Sequence, residues 1–413
     1  MEESQTVTNV QVSNHIPDDI VISILSKLPL KSFKRFECVC KSWSILFDDP
    51  YFITIYGNNF LSKDCSYYDD TCLLVGLTED GYEYNPSRRS DLLELYSLSG
   101  ENFENSVKID WPKPFLDYED LDMDGNVDSS EDKDDALFRI MDSTIVNGIL
   151  CLSTFHHGIW KLILWSPTSN EFKVIPFSPF EAGHFWGGND VTPPYHLVGH
   201  DHIKDDYKVI RFNNINSDED YDDVNSYDSI DYDAPLNSFW EIYSLSGNYW
   251  RQMYVNMPLF SRNKNVYMDG VSHWWDKNKT NTYLVSFDFG NESFTTTHIP
   301  SYIDDSFEVN RDFVILRDLV ILNGSIAFIL NYKKASTIHI SILGELGVKE
   351  SWTKLFVVGP SPSLNYPIVA AKKGKILLKS RSNKQLVWFD LSTGMIDKID
   401  VTKKHKVVCL VHN

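Results

Sequence analysis

The chain is poor in the residues that build covalent or metal frameworks. Its 413 residues hold six cysteines, Cys38, Cys40, Cys65, Cys72, Cys151 and Cys409, and none of them forms a C-x-x-C pair. This spacing suggests neither a zinc site nor a disulfide framework. Basic residues are also scarce, with 38 Lys and Arg against 58 Asp and Glu, a net charge of -20. Phosphate-rich partners require clustered Lys and Arg, so nucleic acid and anionic membrane surfaces are excluded as partners, and basic or neutral ones are favoured. No apolar run approaches the roughly 20 residues that span a bilayer. The first fifteen residues are polar, with Glu2 and Glu3 and none of the apolar core of a secretory signal. A cytosolic or nuclear protein is expected. Catalytic signatures are missing as well: there is no G-x-S-x-G, no P-loop, no dinucleotide fingerprint and no H-E-x-x-H. No cofactor is predicted.

What is present is apolar and aromatic, at 42% and 14% of residues. That composition describes a globular chain rich in strand formers. Ile16 to Trp43, IPDDIVISILSKLPLKSFKRFECVCKSW, stands apart and reads as three short helices. Pro17, Asp18 and Asp19 announce the first, and Ile20, Val21, Ile24, Leu25 and Leu28 make one broad apolar stripe before Pro29 ends it. A second helix carries Phe33 and Phe36, and a third carries Val39, Cys40, Trp43, Leu46 and Phe47. Fewer than about 40 residues rarely bury enough surface to stand alone. These apolar faces therefore need a partner surface.

Three landmarks in order give this stretch a family resemblance: Ile16-Pro17-Asp18-Asp19, then Leu28-Pro29-Leu30-Lys31-Ser32, then Cys38-Val39-Cys40-Lys41-Ser42-Trp43. Together they resemble the plant form of the F-box, with Ile16 where the family usually has Leu and Glu37 where it often has a basic residue. The resemblance implies docking onto the Skp-type adaptor of a cullin-RING ubiquitin ligase. It implies adaptor-binding roles for Ile16, Pro17, Ile20, Ile24, Leu25, Leu28, Pro29, Leu30, Val39, Cys40 and Trp43. Which of them face the adaptor and which the small core is left open.

Around the module, residues 1–15 are expected to be a disordered leader and 51–70 a linker, the connection from Asp49 to Asp70 containing a short helical or extended piece, PYFITIYGNNFLSK. From residue 71 to 413 the chain reads as short β-branched and aromatic runs punctuated by turn residues. An internal repeat runs through it: ELYSLSGENF at 94–103, ILWSPTSNEF at 163–172, EIYSLSGNYW at 241–250, VSFDFGNESF at 285–294 and VWFDLSTGMI at 387–396. Each copy has an aromatic third, Ser or Asp fourth, and a bulky apolar residue seven beyond the aromatic, the pattern of a β-hairpin. HISILGELGVKESW at 339–352 is a sixth copy with an insertion. A second piece, a turn then a strand, recurs as VNGILCLS at 146–153, LNGSIAFIL at 322–330 and KKGKILLKS at 372–380. Four strands in about 40 to 60 residues is the period of a propeller blade. The predicted fold is a small all-α three-helix F-box followed by a large all-β, β-propeller-like domain of about six irregular blades. Residues 147–152, 164–172 and 205–210 in this region resemble the kelch-related F-box-associated domain of plant F-box proteins.

Two acidic inserts, at 117–135 and 217–233, interrupt the pattern. In the first, Asp120, Asp122, Asp124, Asp128 and Glu131 stand at places 1, 3, 5, 9 and 12 of an EF-hand loop, with Gly125 at place 6. Pro112 and Pro114 occupy the place of the entering helix, and no second hand exists, so a solvated acidic connection is expected rather than a metal site. The second insert offers Tyr221, Tyr227 and Tyr232 as candidate anchors for a basic substrate, and His273, Trp274 and Trp275 are candidates for the same recognition face. His200-Asp201-His202 lacks further ligands at metal spacing and is read as structural. The expected function is substrate recognition in a Skp, cullin and F-box ligase, with an unknown protein as target and no catalysis. The alternatives are a propeller enzyme, a sugar-binding propeller, or an adaptor-bound scaffold without degradation.

Overall fold

The computed structural model describes residues 16–62, 73–78, 94–100, 105–112, 138–140, 145–156, 159–181, 196–213, 239–255, 257, 265–278, 280–304, 314–332, 335–359, 364–372, 374–380, 386–398 and 406–412. They fall in two units, divided between Lys63 and Asp64.

The first unit has four helices rather than the three expected: α1 (Asp18–Leu25), α2 (Leu30–Glu37), α3 (Lys41–Phe47) and α4 (Pro50–Leu61). Pro17 and Pro29 stand at the N-caps of α1 and α2, where a missing N–H costs nothing. The fourth helix shows that the piece at 50–63, read as helical or extended, is helical from Pro50 to Leu61. Its start is written in the sequence, because the Asp49 carboxylate accepts from the N–H groups of Tyr51 and Phe52 and Pro50 occupies the first turn. The β-branched Ile53, Thr54 and Ile55 obscure it, yet Phe52, Tyr56 and Phe60, four apart, are all buried. The Tyr56 hydroxyl donates to the Leu28 carbonyl at 3.0 Å, and Asn59 Nδ2 donates to the Ser26 carbonyl and hydroxyl. Burial pushes the Tyr56 phenol well above its ordinary range. In this way α4 pins the turn between α1 and α2.

The second unit is all β. Its strands, among the described residues, form six four-stranded antiparallel sheets. The first sheet contains β1 (Leu73–Thr78), β2 (Glu94–Ser99) and β3 (Asn105–Ile109); the next is β4 (Phe138–Ile140), β5 (Leu150–His156), β6 (Ile159–Trp165) and β7 (Phe172–Ile175). The third is β8 (His196–Asp201), β9 (Asp206–Asn213), β10 (Phe239–Ser244) and β11 (Tyr249–Met253); the fourth is β12 (Asn265–Met268), β13 (Val271–Lys277), β14 (Thr282–Asp288) and β15 (Ser293–Ile299). The fifth is β16 (Val314–Leu322), β17 (Ser325–Tyr332), β18 (Thr337–Leu343) and β19 (Trp352–Val358). The last is β20 (Leu364–Lys372), β21 (Lys375–Ser380), β22 (Leu386–Asp390) and β23 (Ile396–Lys398). The final strand, β24 (Lys406–His412), pairs with β1 and completes the first sheet. This pairing brings strands from opposite extremes of the domain into one sheet.

The repeats now have a physical cause. In four copies the aromatic at the third place lies directly across the ladder from the residue seven beyond it: Trp165 opposite Phe172, Tyr243 opposite Trp250, Phe287 opposite Phe294 and Phe389 opposite Ile396. Such cross-strand aromatic pairs hold a hairpin in register. The fourth place caps the turn, since Ser244 Oγ accepts from the Gly247 N–H and Asp390 Oδ1 from those of Ser392 and Thr393. The first copy departs from this, because Tyr96 pairs with Lys108, and Phe103 lies outside the described residues. In the second recurrent piece, Asn323 and Gly324 both take positive φ, 49° and 67°, as a two-residue hairpin turn demands.

The second, third and fourth sheets bury both faces against neighbours, which is why their middle strands are apolar on consecutive positions. In β10, Trp240 and Ile242 pack with Trp274, Val285 and Phe287 of the fourth sheet, while Tyr243 packs with Leu164 and Ile175 of the second. Contact is close enough to exclude a side chain at Gly199, where a Cβ would run into the Phe289 ring.

Candidate functional site

The helical unit exposes an apolar surface that its size alone does not explain. Ile16, just before α1, and Ile20 and Ile24 within it, spaced four apart, are all about half exposed, at 56%, 46% and 56%. Val39, Ile45 and Tyr51 are more open still. Pro17, Pro29 and Cys40 are also exposed, and Leu28 and Trp43 are half-buried. Leu25 and Leu30, in contrast, are buried, which removes them from the accessible set. Their positions follow from helix geometry: Leu25 sits one residue beyond Ile24 and so turns about 100° away from the Ile16, Ile20 and Ile24 row. Trp43 stacks on Phe36 with centroids 5.7 Å apart, joining α2 to α3. At the start of α3 the Ser42 hydroxyl, 3.2 Å from the Cys40 Sγ, and the Trp43 N–H draw the thiol below its ordinary value. Ile45 and Tyr51 were not singled out from sequence. Solvent exposure of an isolated apolar residue leaves no periodic trace.

The β unit distributes the other candidates differently. His273 and Trp274 are buried, not on a recognition face, and Trp275 is half-buried with the Arg317 guanidinium 5.8 Å from its ring centroid. The reason is that β13 has neighbours on both faces, Trp274 packing with Leu197 and Trp240 of the third sheet and Trp275 with the cluster that includes Leu319 and Phe328 of the fifth. Tyr221, Tyr227 and Tyr232 lie outside the described residues, as do Asp120, Asp122, Asp124, Asp128 and Glu131. Among the described residues no group of three or more His, Cys, Asp or Glu side chains is placed to hold a metal ion. No helix among them is long and apolar enough to cross a membrane.

Burial drives the His273 imidazole down to about 3, with Nδ1 2.8 Å from the Ser286 hydroxyl, and drives the Asp276 carboxyl up to about 6. Folding therefore disfavours protonation of His273, and the stability it contributes at neutral pH is lost as pH falls from its ordinary 6.5 toward 3. Asp276 acts in the opposite sense, since its folded-state penalty is present above about 6 and is relieved as pH falls toward 3.8. The two oppose each other between pH 6 and 4. We expect the unfolding free energy of wild type minus that of His273→Gln to shrink on acidification, by on the order of 1.4 kcal/mol per pH unit below 6.5. Urea titrations of both proteins at several pH values check this, and a pH-independent difference would contradict it.

A polar knot links the third and fourth sheets. Lys208 Nζ, in β9, donates to Asp201 Oδ2 at 2.6 Å, to Glu292 Oε1 at 2.6 Å and to the Phe289 carbonyl at 3.1 Å. Glu292 also pairs with Arg251. Burial pushes the Asp201 carboxyl up, but the Lys208 hydrogen bond and the N–H groups of Lys204 and Ile203 outweigh it, so the carboxyl lies below its ordinary value. Two residues earlier, Asp206 accepts from the Ser244 hydroxyl at 2.6 Å and the Ser246 N–H at 2.8 Å. The 205–210 motif is thus a set of fasteners and not a reaction centre. His200 Nε2 lies 3.0 Å from the exposed Asp205, and the exposed His202 has its ring beside Gly270 and Gly290, in keeping with a structural reading of that triplet.

A helical unit with an apolar face followed by an all-β domain of four-stranded sheets is matched by known families. Residues 104–412 match the F-box associated beta propeller domain, and residues 14–54 match the F-box domain. The chain belongs to the plant F-box proteins. Its relatives include the F-box protein CPR1 of Arabidopsis thaliana, 24% identical over 94% of this chain and 84% of that protein. F-box only protein 8 of Arabidopsis thaliana is 25% identical over 74% of this chain and 87% of that protein. Among solved structures, TolB from Acinetobacter baumannii aligns with a TM-score of 0.41 and 9% identity, over 84% of this chain and 67% of that one. A chain of a nidogen/laminin complex aligns at 0.40 with 11% identity, over 83% and 97%. Likenesses this slight carry neither fold nor function.

Proposed function

We propose that this F-box protein is the substrate-recognition subunit of a Skp, cullin and F-box ubiquitin ligase. Its helical unit holds a Skp-type adaptor and, through it, a cullin; its β domain, whose six sheets are the blades of one closed propeller, holds a protein target. The observation that carries this reading is the exposed row Ile16, Ile20 and Ile24 in the segment matching the F-box domain. Burying such a row against a partner gains roughly 25 cal/mol for each Å² of apolar surface removed from water. The protein itself makes and breaks no bonds. It raises the effective concentration of a target lysine near the ubiquitin-charged enzyme. These partners would place it in cytosol or nucleus.

The test is co-purification of the full chain, and of a chain lacking residues 1–62, with a plant Skp-type adaptor. Binding by the full chain alone supports the proposal. Failure of both to bind would leave the exposed row without an adaptor role.

A further inference from the structure

Each four-stranded sheet has two edges. At one of them, strands of neighbouring sheets lie beside each other, β12 by β16, β16 by β20 and β20 by β24. At the other, β3, β7, β11, β15, β19 and β23 pair with no further strand among the described residues. An open edge offers its N–H and C=O groups to any extended chain, and proteins guard it with a charge, a proline or a bulge. Five of these six strands are guarded: β3 carries Lys108, β7 Lys173, β11 Arg251, β23 Asp397 and Lys398, and β19 carries Lys354 and a shift of register against β18 at Ile340 and Ser341. The exception is β15. Its seven residues, Ser293-Phe294-Thr295-Thr296-Thr297-His298-Ile299, hold no Lys, Arg, Asp, Glu or Pro, and they pair with β14 without a shift. Burial holds the His298 imidazole below its ordinary value, so that side chain is neutral too.

On the side of β15 away from β14, no backbone N–H or C=O of Ser293 to Ile299 has a hydrogen bond among the described residues. Ser293, Thr295 and Thr296 are exposed. Beside the strand stands an ordered ledge, residues 344–351 between β18 and β19. It is tied to β15 by the Gly347 N–H, which donates to Thr297 Oγ1 at 2.7 Å. It is tied to itself by Ser351 Oγ, which accepts from the Glu345 N–H at 3.0 Å and donates to the Val348 carbonyl at 2.7 Å. Leu346 and Val348, on either side of Gly347, nevertheless stay exposed, at 42% and 39%. Side chains on a backbone already ordered lose little further entropy on binding.

An unguarded edge beside two exposed apolar side chains fits one kind of ligand. A strand added to a sheet takes its affinity from main-chain hydrogen bonds and its specificity from alternate side chains. Residues of an added strand on the face of Thr295 and Thr297 come to the side where Gly347 is bonded, beside Leu346 and Val348, and apolar side chains suit that place. A charged residue would lose water there and meet no counter-charge on β15. We infer that the edge of β15 binds an extended, uncharged segment of the protein target as a fifth strand of its sheet, with alternate apolar residues against Leu346 and Val348. The inference rests on the receptor reading and names the chemical class of what the β domain holds.

The experiment is calorimetric titration of the full chain with uncharged peptides as long as β15, alternating threonine with valine, isoleucine or leucine on a solubilising neutral linker, and with the same peptides N-methylated at every backbone amide. The plain peptides bind, and the N-methylated ones, which have lost their N–H donors, do not. Thr295→Lys with Thr296→Lys gives β15 the guard that the other outer strands carry, and raises Kd about tenfold or more, equivalent to about 1.4 kcal/mol. Leu346→Ser with Val348→Ser weakens binding as well, whereas Val357→Lys, at an exposed place on β19, leaves it unchanged. All five positions are exposed, so the urea midpoints stay at the wild-type value and separate lost binding from lost folding. Absence of binding by the plain peptides overturns the inference, as does equal binding of the N-methylated ones or wild-type affinity in the Thr295 and Thr296 variant. Self-association of the wild-type chain in sedimentation, abolished in that variant, would overturn it too and assign the edge to a second copy. Adaptor co-purification of the same variants is read in parallel, so a failure here is distinguishable from failure of the ligase reading.

Discussion

Replacing Ile20 and Ile24 together by aspartate is expected to abolish co-purification with a Skp-type adaptor while leaving the β domain folded. Both side chains are about half exposed on α1, so the substitution places charge where the isolated protein already meets water. The fold therefore tolerates it, whereas a partner closing over that row would bury two carboxylates. Each lost anchor costs about 2 kcal/mol or more, and the desolvation of an unpaired charge adds to that. The choice of positions matters. Leu30→Asp would also abolish binding, but Leu30 is buried and its loss would be ambiguous between docking and folding. Near-ultraviolet circular dichroism reports the tryptophans Trp165, Trp240, Trp274 and Trp352, all buried in the β domain, and should be unchanged in the double variant. Undiminished co-purification would remove α1 from the adaptor interface.

The second large effect concerns the knot at Lys208. Lys208→Met is expected to destabilise the β domain by about 3–5 kcal/mol, because it strands the fully buried Asp201 carboxylate without its counter-charge. Glu292 is affected less, since Arg251 remains beside it. Adding Asp201→Asn to Lys208→Met should return part of the loss, because the stranded charge is removed. Urea midpoints of the two single variants and the double variant measure the coupling. If Lys208→Met unfolds with the wild-type midpoint, the three contacts of its ammonium are dispensable and the link between the third and fourth sheets is carried by apolar packing alone.

Much of the architecture could be read in advance because it is local. A hairpin places residues seven apart in direct contact, so the aromatic at the third place and its partner recur visibly in 163–172, 241–250, 285–294 and 387–396. The Asn-Gly turn at 323–324 is written in two residues. The piece at 50–61 was left between helical and extended although its cap and proline are plain, because its β-branched residues argue locally against a helix and only the burial of Phe52, Tyr56 and Phe60 decides for it. His273, Trp274 and Trp275 were placed on a recognition face for a similar reason. A His-Trp-Trp run in a strand looks the same whether the faces of its sheet are open or covered by neighbouring sheets.

Two things were settled by the sequence alone: the order of a short helical module before a long series of four-stranded units, and the family resemblance carried by three landmarks within 28 residues, 16–43. Both depend on patterns within a few residues of each other, where chain connectivity makes spacing equal to contact. Tertiary structure decided what lies far apart in the chain. It paired β24 with β1, joined Lys208 to Glu292 across 84 positions, and sorted Ile20 and Ile24 from Leu25 and Leu30. Those outcomes depend on which faces the folded chain leaves uncovered and which distant groups must satisfy one another's charge once water is gone.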